Sequence, residues 1–595
     1  MSILEKNFIA QLPLKALFKL LWFHISKRRR GQFALLLGLT ILSSIAEVVS
    51  LGAVLPFIGI IIQPEKVFSS PWLSSLLEIF NIETASELVL PLTICFAIAA
   101  LIAGGLRILL LWVSVRLSLA TGADIGTDVY FKTLHQDYQV HIERSSSEII
   151  SGITQKVSIG TGVLISLVFV VTSGILFMTI MTTLIVLDPV IATLAAASFG
   201  SAYIIIAWFT RSRLVRNSEC IAEENVQVVK ALQEGLGAIR DVLLDGSQKV
   251  YLSVYRQAIL KLQRANGENT FINQAPRYMM ESLGMALIAI FVLALSRRPE
   301  GVISALPLLA VLALAAQRLL PLMQQLYGNW SVIMGSKAAL ADMLTLLEQP
   351  LPVWAYQPNP EPLVLKQSII FDNVSFRYNS NTPWVLKDIN LKISKGARIG
   401  IIGTTGSGKS TMLDLLMGLL EPTTGVILIN GQLVSQGHQR SWQRSVAHVP
   451  QNIFLADSTI AENIAFGVTP DMIDIERVRK AAQQAQISDF IESKKESYDA
   501  IVGERGVRLS GGQRQRIGIA RALYKQVTVL VFDEATSSLD NETEQAVIKT
   551  IEELSKELTL FIVAHRLTTL KSCTQIIEIE ENGIKRICSY KDIQN

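Results

Sequence analysis

Ala397-Arg398-Ile399-Gly400-Ile401-Ile402 runs straight into Gly403-Thr404-Thr405-Gly406-Ser407-Gly408-Lys409-Ser410, and Thr411–Leu420 follows. The first six residues read as an apolar strand and the last ten as a helix. A loop of the form GxxxxGK[ST] between a strand and a helix is the context in which it carries chemistry. The glycines let backbone N–H groups wrap phosphate oxygens, and the helix N-terminus adds a favourable dipole. Lys409 can reach the β- and γ-phosphates, and the Ser410 hydroxyl can ligand Mg²⁺. A chance glycine-rich turn is the bland competitor, and the flanking elements argue against it.

Downstream, Val529–Phe532 is a short apolar strand ending in Asp533-Glu534. A carboxylate at such a tip can hold Mg²⁺, and the next one can accept a proton from attacking water. Between the two lies Leu509-Ser510-Gly511-Gly512-Gln513, opening a helix over Arg514–Leu523. Its small residues present N–H groups and a helix dipole to an anion. Upstream, Ile369–Tyr378 and Val385–Ile393 read as strands. Pro350, Pro352, Pro358, Pro360 and Pro362 mark a linker before them.

The chain changes character at that linker. Of its 595 residues 50% are hydrophobic and 17% charged. Residues 351–595 hold 54 charges, about 22%, an ordinary globular share, whereas the first 350 hold only 50, about 14%. Six apolar stretches long enough to span a bilayer fall in that half: Phe33–Ile62, Leu88–Val115, Ile159–Leu187, Pro189–Phe209, Met279–Leu295 and Val302–Leu322. Asp188-Pro189 alone separates the third from the fourth, which predicts a tight outer hairpin. No cleavable signal is evident, and residues 12–25 read as an interfacial amphipathic helix. Lys27-Arg28-Arg29-Arg30 before the first span places the N-terminus in the cytoplasm. Glu65, Glu78, Glu83 and Glu87 in the first outer loop agree with that orientation; Arg297-Arg298 does not. The expected fold is an α-helical membrane domain with six transmembrane helices joined to an α/β P-loop NTPase nucleotide-binding domain. The expected divisions are 1–30, an amphipathic segment; 31–345, the membrane domain; 346–366, the linker; and 367–595, the nucleotide-binding domain. A net charge of only +4 speaks against a nucleic-acid partner. Cys95, Cys220, Cys573 and Cys588 lack the spacing of a zinc or redox site.

Charge inside a span costs about 2.5–3.5 kcal/mol per residue on insertion scales, so Glu47, Arg107 and Arg318 stand out. They either face a polar translocation cavity or form a buried structural ion pair, such as Glu47 with an arginine. Both readings stand at this point.

Taken in order and spacing, these motifs resemble the ABC transporter family over essentially the whole length. The resemblance implies that Tyr378 stacks on adenine. It implies that Gln451 lies near Mg²⁺ and the attacking water, that Asp540 belongs to the loop after Glu534, and that His565 contacts the γ-phosphate. One departure is that Ala500-Ile501 precedes Val502-Gly503-Glu504-Arg505-Gly506, where export-type members commonly have a Thr-Glu pair. That puts in doubt a contact between this loop and the membrane domain, not hydrolysis. Six spans followed by one nucleotide domain imply an export-type half-transporter. In this family the phosphate loop of one subunit faces the Ser510-Gly511-Gly512-Gln513 signature of another, so a homodimer using ATP and Mg²⁺ is expected.

Ser44–Phe57 and the segments Pro276-Arg277-Tyr278 and Glu281-Ser282-Leu283-Gly284 resemble bacterial flippases of lipid-linked oligosaccharides and cyanobacterial exporters of envelope polysaccharide or glycolipid. An amphipathic lipid in the bacterial inner membrane is the substrate this implies. An exporter of hydrophobic drugs, lipids or peptides is the alternative. A peptide-maturing exporter is disfavoured, because no Cys/His protease precedes the first span. The six spans exclude a soluble ABC ATPase of DNA repair or translation.

Overall fold

The computed structural model describes residues 9, 11–62, 87, 89–187, 189–296, 306–434, 437–533, 557–563, 570–581 and 583–594. They form two compact units, one of residues 1–136 and 144–352, the other of 137–143 and 353–595. The outer-loop residues Glu65, Glu78 and Glu83, Asp188 of the hairpin and Arg297-Arg298 lie outside the described residues.

The first unit is helical. Among its described residues six helices are at least 30 residues long: Lys27–Ile62, Val89–Leu134, Val157–Leu187, Pro189–Gly237, Gln248–Ser296 and Leu306–Gly335. Four of them contain one of the six apolar stretches whole, and Val89–Leu134 and Leu306–Gly335 hold the described parts of Leu88–Val115 and Val302–Leu322. Three helical segments are apolar and long enough to cross a membrane among the described residues: Lys27–Ser50, Val89–Leu134 and Ser146–Val186. The helices outrun the apolar stretches because their polar continuations keep a buried face. In Val89–Leu134 the face continues through Thr121, Ile125 and Val129 beyond Val115.

The N-terminal helix Leu14–His24 buries Leu17 and Leu21 against Phe33, Leu36, Leu340 and Leu344, leaving Trp22 and Phe23 exposed. Its apolar side is therefore covered by protein, with two aromatic residues left at its surface. Helix Leu306–Gly335 gives way at Ser336 to Lys337–Leu347, bent by 59° from the preceding stretch. This second piece buries Leu340, Met343, Leu344 and Leu347. Lys156 pairs with Asp342, Lys132 donates to Leu347 O, and His24 Nε2 lies 2.8 Å from Glu348 Oε1.

The second unit carries two sheets. In chain order the strands are β1 Ser368–Phe376, β2 Leu386–Ser394, β3 Arg398–Gly403, β4 Thr424–Ile429, β5 Gln432–Leu433, β6 Val446–Val449, β7 Val529–Asp533, β8 Thr559–Val563, β9 Gln575–Glu580 and β10 Gly583–Cys588. The smaller sheet, β2-β1-β4-β5, is antiparallel; the larger, β10-β9-β3-β8-β7-β6, is parallel except at β10. A parallel sheet covered on both faces needs near-continuous apolar strands, and β7 and β8 comply, with Val529, Val531 and Phe561 fully buried. Part of the proline-rich linker is tied to this unit. Arg440 sits over the Trp354 ring at 4.3 Å, and Arg444 Nη1 donates to Pro360 O at 2.6 Å.

Candidate functional site

Strand β3 ends at Gly403, and the helix Lys409–Leu416 begins six residues later. A Cβ on Gly403 would strike the Ile579 carbonyl oxygen and lie 2.8 Å from Ser407 Oγ, whereas one on Gly406 would meet nothing within 4 Å. The loop is thus shut on its sheet side and open at its tip. Gly408, with φ of 98°, takes the left-handed turn that starts the helix. Thr404 and Thr405 are exposed, Ser410 is exposed, and Thr411 is buried. The Lys409 ammonium donates to Gly403 O and Thr404 O, both at 2.9 Å, which holds it across the loop. Ser407 Oγ is buried with no hydrogen-bond partner among the described residues. A curved glycine-rich loop with a captured ammonium and an orphaned hydroxyl fits a polyphosphate.

Two strands away, Asp533 ends β7. Asp414, on the helix after the loop, is pushed up to about 6 by burial and then by the charge of Asp533. The two carboxylates therefore share one electrostatic environment. Ser410, Gln451 and Asp533 all offer oxygen, the donor type that a hard cation such as Mg²⁺ takes. Gln451 is exposed, two residues past β6. Tyr378 lies just past β1; its ring packs edge-on to Phe376 at 5.1 Å and its hydroxyl lies 3.1 Å from Thr411 Oγ1. Glu534, Asp540 and His565 lie outside the described residues.

Ser510 caps the helix Gly511–Tyr524. Its Oγ accepts from the Gln513 N–H at 3.3 Å, and the Gln513 side chain accepts from the Ser510 N–H at 2.9 Å. That reciprocal cap holds the Gly511 and Gly512 amides at an exposed helix start. Arg521 on the same helix donates to Asn463 O and to Phe454 O, three residues past Gln451. Burial lowers the Arg521 guanidinium to about 10. Arg521 was not legible as a tie, because its acceptors are carbonyls 58 and 67 residues away. Ala500 is buried and Ile501 exposed, with Thr459 and Ile501 bridged as in a strand pair.

In the helical unit, Arg107 Nη1 lies 3.7 Å from Glu47 Oε1. The Glu47 side chain is 4% exposed and that of Arg107 42%. Buried hydroxyls of Ser43, Ser114 and Ser118 on the same two helices have no partner among the described residues. Arg318 falls in Leu306–Gly335, but its side chain lies outside the described residues.

Residues 386–537 match the family described as ABC transporter, and residues 52–322 match the ABC transporter transmembrane region. An ATP-dependent lipid A-core flippase of Chromohalobacter salexigens is 30% identical over 442 residues, covering 74% of this chain and 75% of that protein. A protein of the same description from Cupriavidus metallidurans is 29% identical over 64% of each chain. The alpha-hemolysin translocation ATP-binding protein HlyB of Escherichia coli O157:H7 is 43% identical, over 38% of this chain and 32% of its own. The chain thus spans from about a third to just under two thirds of those last two relatives. The structure of a bacterial Atm1-family ABC exporter with ATP bound shares the fold, with a TM-score of 0.76 over 95% of this chain and 96% of that one, at 23% identity.

Proposed function

The chain belongs to the ABC transporter family, as an exporter whose membrane region is fused to its nucleotide-binding domain, and from that premise we propose that it hydrolyses ATP to move an amphipathic lipid across the bacterial inner membrane. The observation that carries the ATP half is the loop around Lys409, with its orphaned Ser407 hydroxyl and captured ammonium. Lys409 and the loop amides bind the phosphates, Tyr378 stacks on the base, and Ser410, Gln451 and Asp533 hold Mg²⁺. Bound there, Mg²⁺ would screen phosphate charge. Glu534 takes the proton of the attacking water, and His565 contacts the terminal phosphate. Ser510, Gly511, Gly512 and Gln513, with Asp540, complete the site from a second copy. The active unit is therefore a homodimer with both termini in the cytoplasm.

For the substrate, the finer proposal is a lipid-linked oligosaccharide or glycolipid moved from the cytoplasmic to the outer leaflet. Arg107 presents about half of its side chain outward while Glu47 holds the other side. A guanidinium in that setting suits a phosphate-bearing headgroup, and Arg318 is its companion. The flippase description of the relative matched over 74% of this chain supports this reading. The toxin exporter's 43% identity over 38% of the chain favours the alternative, a drug, lipid or peptide exporter. ATPase stimulation of the purified protein by lipid-linked sugars, lipid A-type lipids and hydrophobic drugs separates the two. Stimulation by the anionic glycolipids alone supports the proposal, and stimulation by drugs alone overturns it.

A further inference from the structure

The short helix Tyr138–Glu143 lies in sequence between two apolar helices, yet residues 137–143 belong to the compact unit of the nucleotide domain. Gln139 Nε2 donates to Tyr378 O at 2.6 Å. The same amide nitrogen donates to Glu143 Oε1 at 3.2 Å, one turn along, so both of its hydrogens are committed and the amide plane is fixed. Tyr378 is then held at three points: its carbonyl by Gln139, its ring edge-on to Phe376, and its hydroxyl at Thr411. Thr411 follows directly on Lys409 and Ser410. We infer that Gln139 is a positioning residue for the nucleotide site: by fixing the Tyr378 backbone it sets the plane on which the base stacks.

A second feature brings this short helix near the phosphate-loop helix. Burial pushes the Tyr138 phenol up, and the nearby Asp414 and Tyr378 add to the shift. Asp414 lies one turn after Thr411, the residue that meets the Tyr378 hydroxyl, so Tyr138 and Tyr378 are both near the helix Lys409–Leu416.

This inference rests on the nucleotide-site reading above, and the test separates the two. Calorimetry on the full-length protein in nanodiscs would measure affinity for Mg²⁺-ADP and for Mg²⁺-pyrophosphate, which has no base to stack. Gln139→Ala should weaken ADP binding about three- to tenfold, the size of one lost hydrogen bond, and leave pyrophosphate binding unchanged. Gln139→Glu keeps the length but has no N–H to give, and should match Gln139→Ala. In a Tyr378→Ala background Gln139→Ala should add nothing. A general folding defect would weaken both ligands. Unchanged ADP affinity in both Gln139 variants, with Tyr378→Ala weakening it, overturns the inference alone. Unchanged ADP affinity in Tyr378→Ala overturns the stacking role and the inference with it.

Discussion

Glu47 Oε1 and Arg107 Nη1 lie 3.7 Å apart, and eighteen residues earlier on the first of these helices Arg29 Nε lies 2.8 Å from Asp124 Oδ2 on the second. Seventeen residues separate Arg107 from Asp124, so the two ion pairs pin Lys27–Ile62 and Val89–Leu134 antiparallel in one register. At about 1.5 Å per residue the pins are about 27 Å apart. The upper pair is unequal, with a buried carboxylate facing a half-exposed guanidinium.

That inequality sets the first prediction. Arg107→Ala removes a counter-charge from a buried carboxylate and should lower the melting temperature more than Glu47→Gln does. The double variant should recover most of the loss. Arg107→Lys keeps the charge but not the planar fork, so it should retain stability and lose stimulation by an anionic lipid. Equal stimulation of Arg107→Lys and wild type would remove Arg107 from substrate binding.

Lys409→Ala should weaken nucleotide binding, since it deletes a direct charged phosphate contact. Glu534→Gln should keep ATP binding and slow phosphate release by about 10²- to 10⁴-fold, the usual worth of a general base. Binding and single-turnover hydrolysis, measured side by side, check both. Wild-type turnover by Glu534→Gln would end its assignment as the base.

The third prediction concerns pH. The Asp414 carboxyl is raised from an ordinary 3.8 to about 6, first by burial and next by Asp533. Between these values the folded chain holds a proton that the unfolded chain has lost. Stability therefore falls as pH rises through that window, and the cost persists above it. Buried His448, lowered to about 4, gives the opposite slope up to about 6.5. Asp414→Asn isolates the first effect. It should match wild type near pH 4 and melt higher at pH 7.5. Parallel melting curves at every pH would contradict it.

Composite sites make a fourth prediction. Lys409→Ala and Ser510→Arg should each be inactive alone. In a mixed dimer one site collects both defects and the other has an intact phosphate loop and an intact signature. Activity should reappear on mixing, up to about one site per dimer. Verified heterodimers without activity, or an active monomer, would refute shared sites.

The phosphate loop was legible because its glycines, lysine and flanking elements are one local unit. Strand β3 and the strand before Asp533 fall within one residue of their expected bounds, whereas the helix expected over Thr411–Leu420 runs Lys409–Leu416 and the one expected over Arg514–Leu523 runs Gly511–Tyr524. The burial cost of Glu47 announced a partner, but choosing Arg107 required the register of two helices. The cytoplasmic continuation of Val89–Leu134 did have a signal, the three-to-four spacing of Ser114, Ser118, Thr121, Ile125 and Val129. The covered N-terminal helix had none, since Leu340 and Leu344 lie over 300 residues away. Nor did the Gln139–Tyr378 bond, which joins residues 239 apart.

The most direct test is ATP-dependent flipping of a fluorescent lipid-linked oligosaccharide in proteoliposomes, read by its accessibility to an added glycosidase. Wild type with Mg²⁺-ATP should shift the accessible fraction steadily, while Lys409→Ala and wild type without ATP stay level. A wild-type protein that hydrolyses ATP at full rate yet moves neither this lipid nor any other amphipathic lipid would contradict the account.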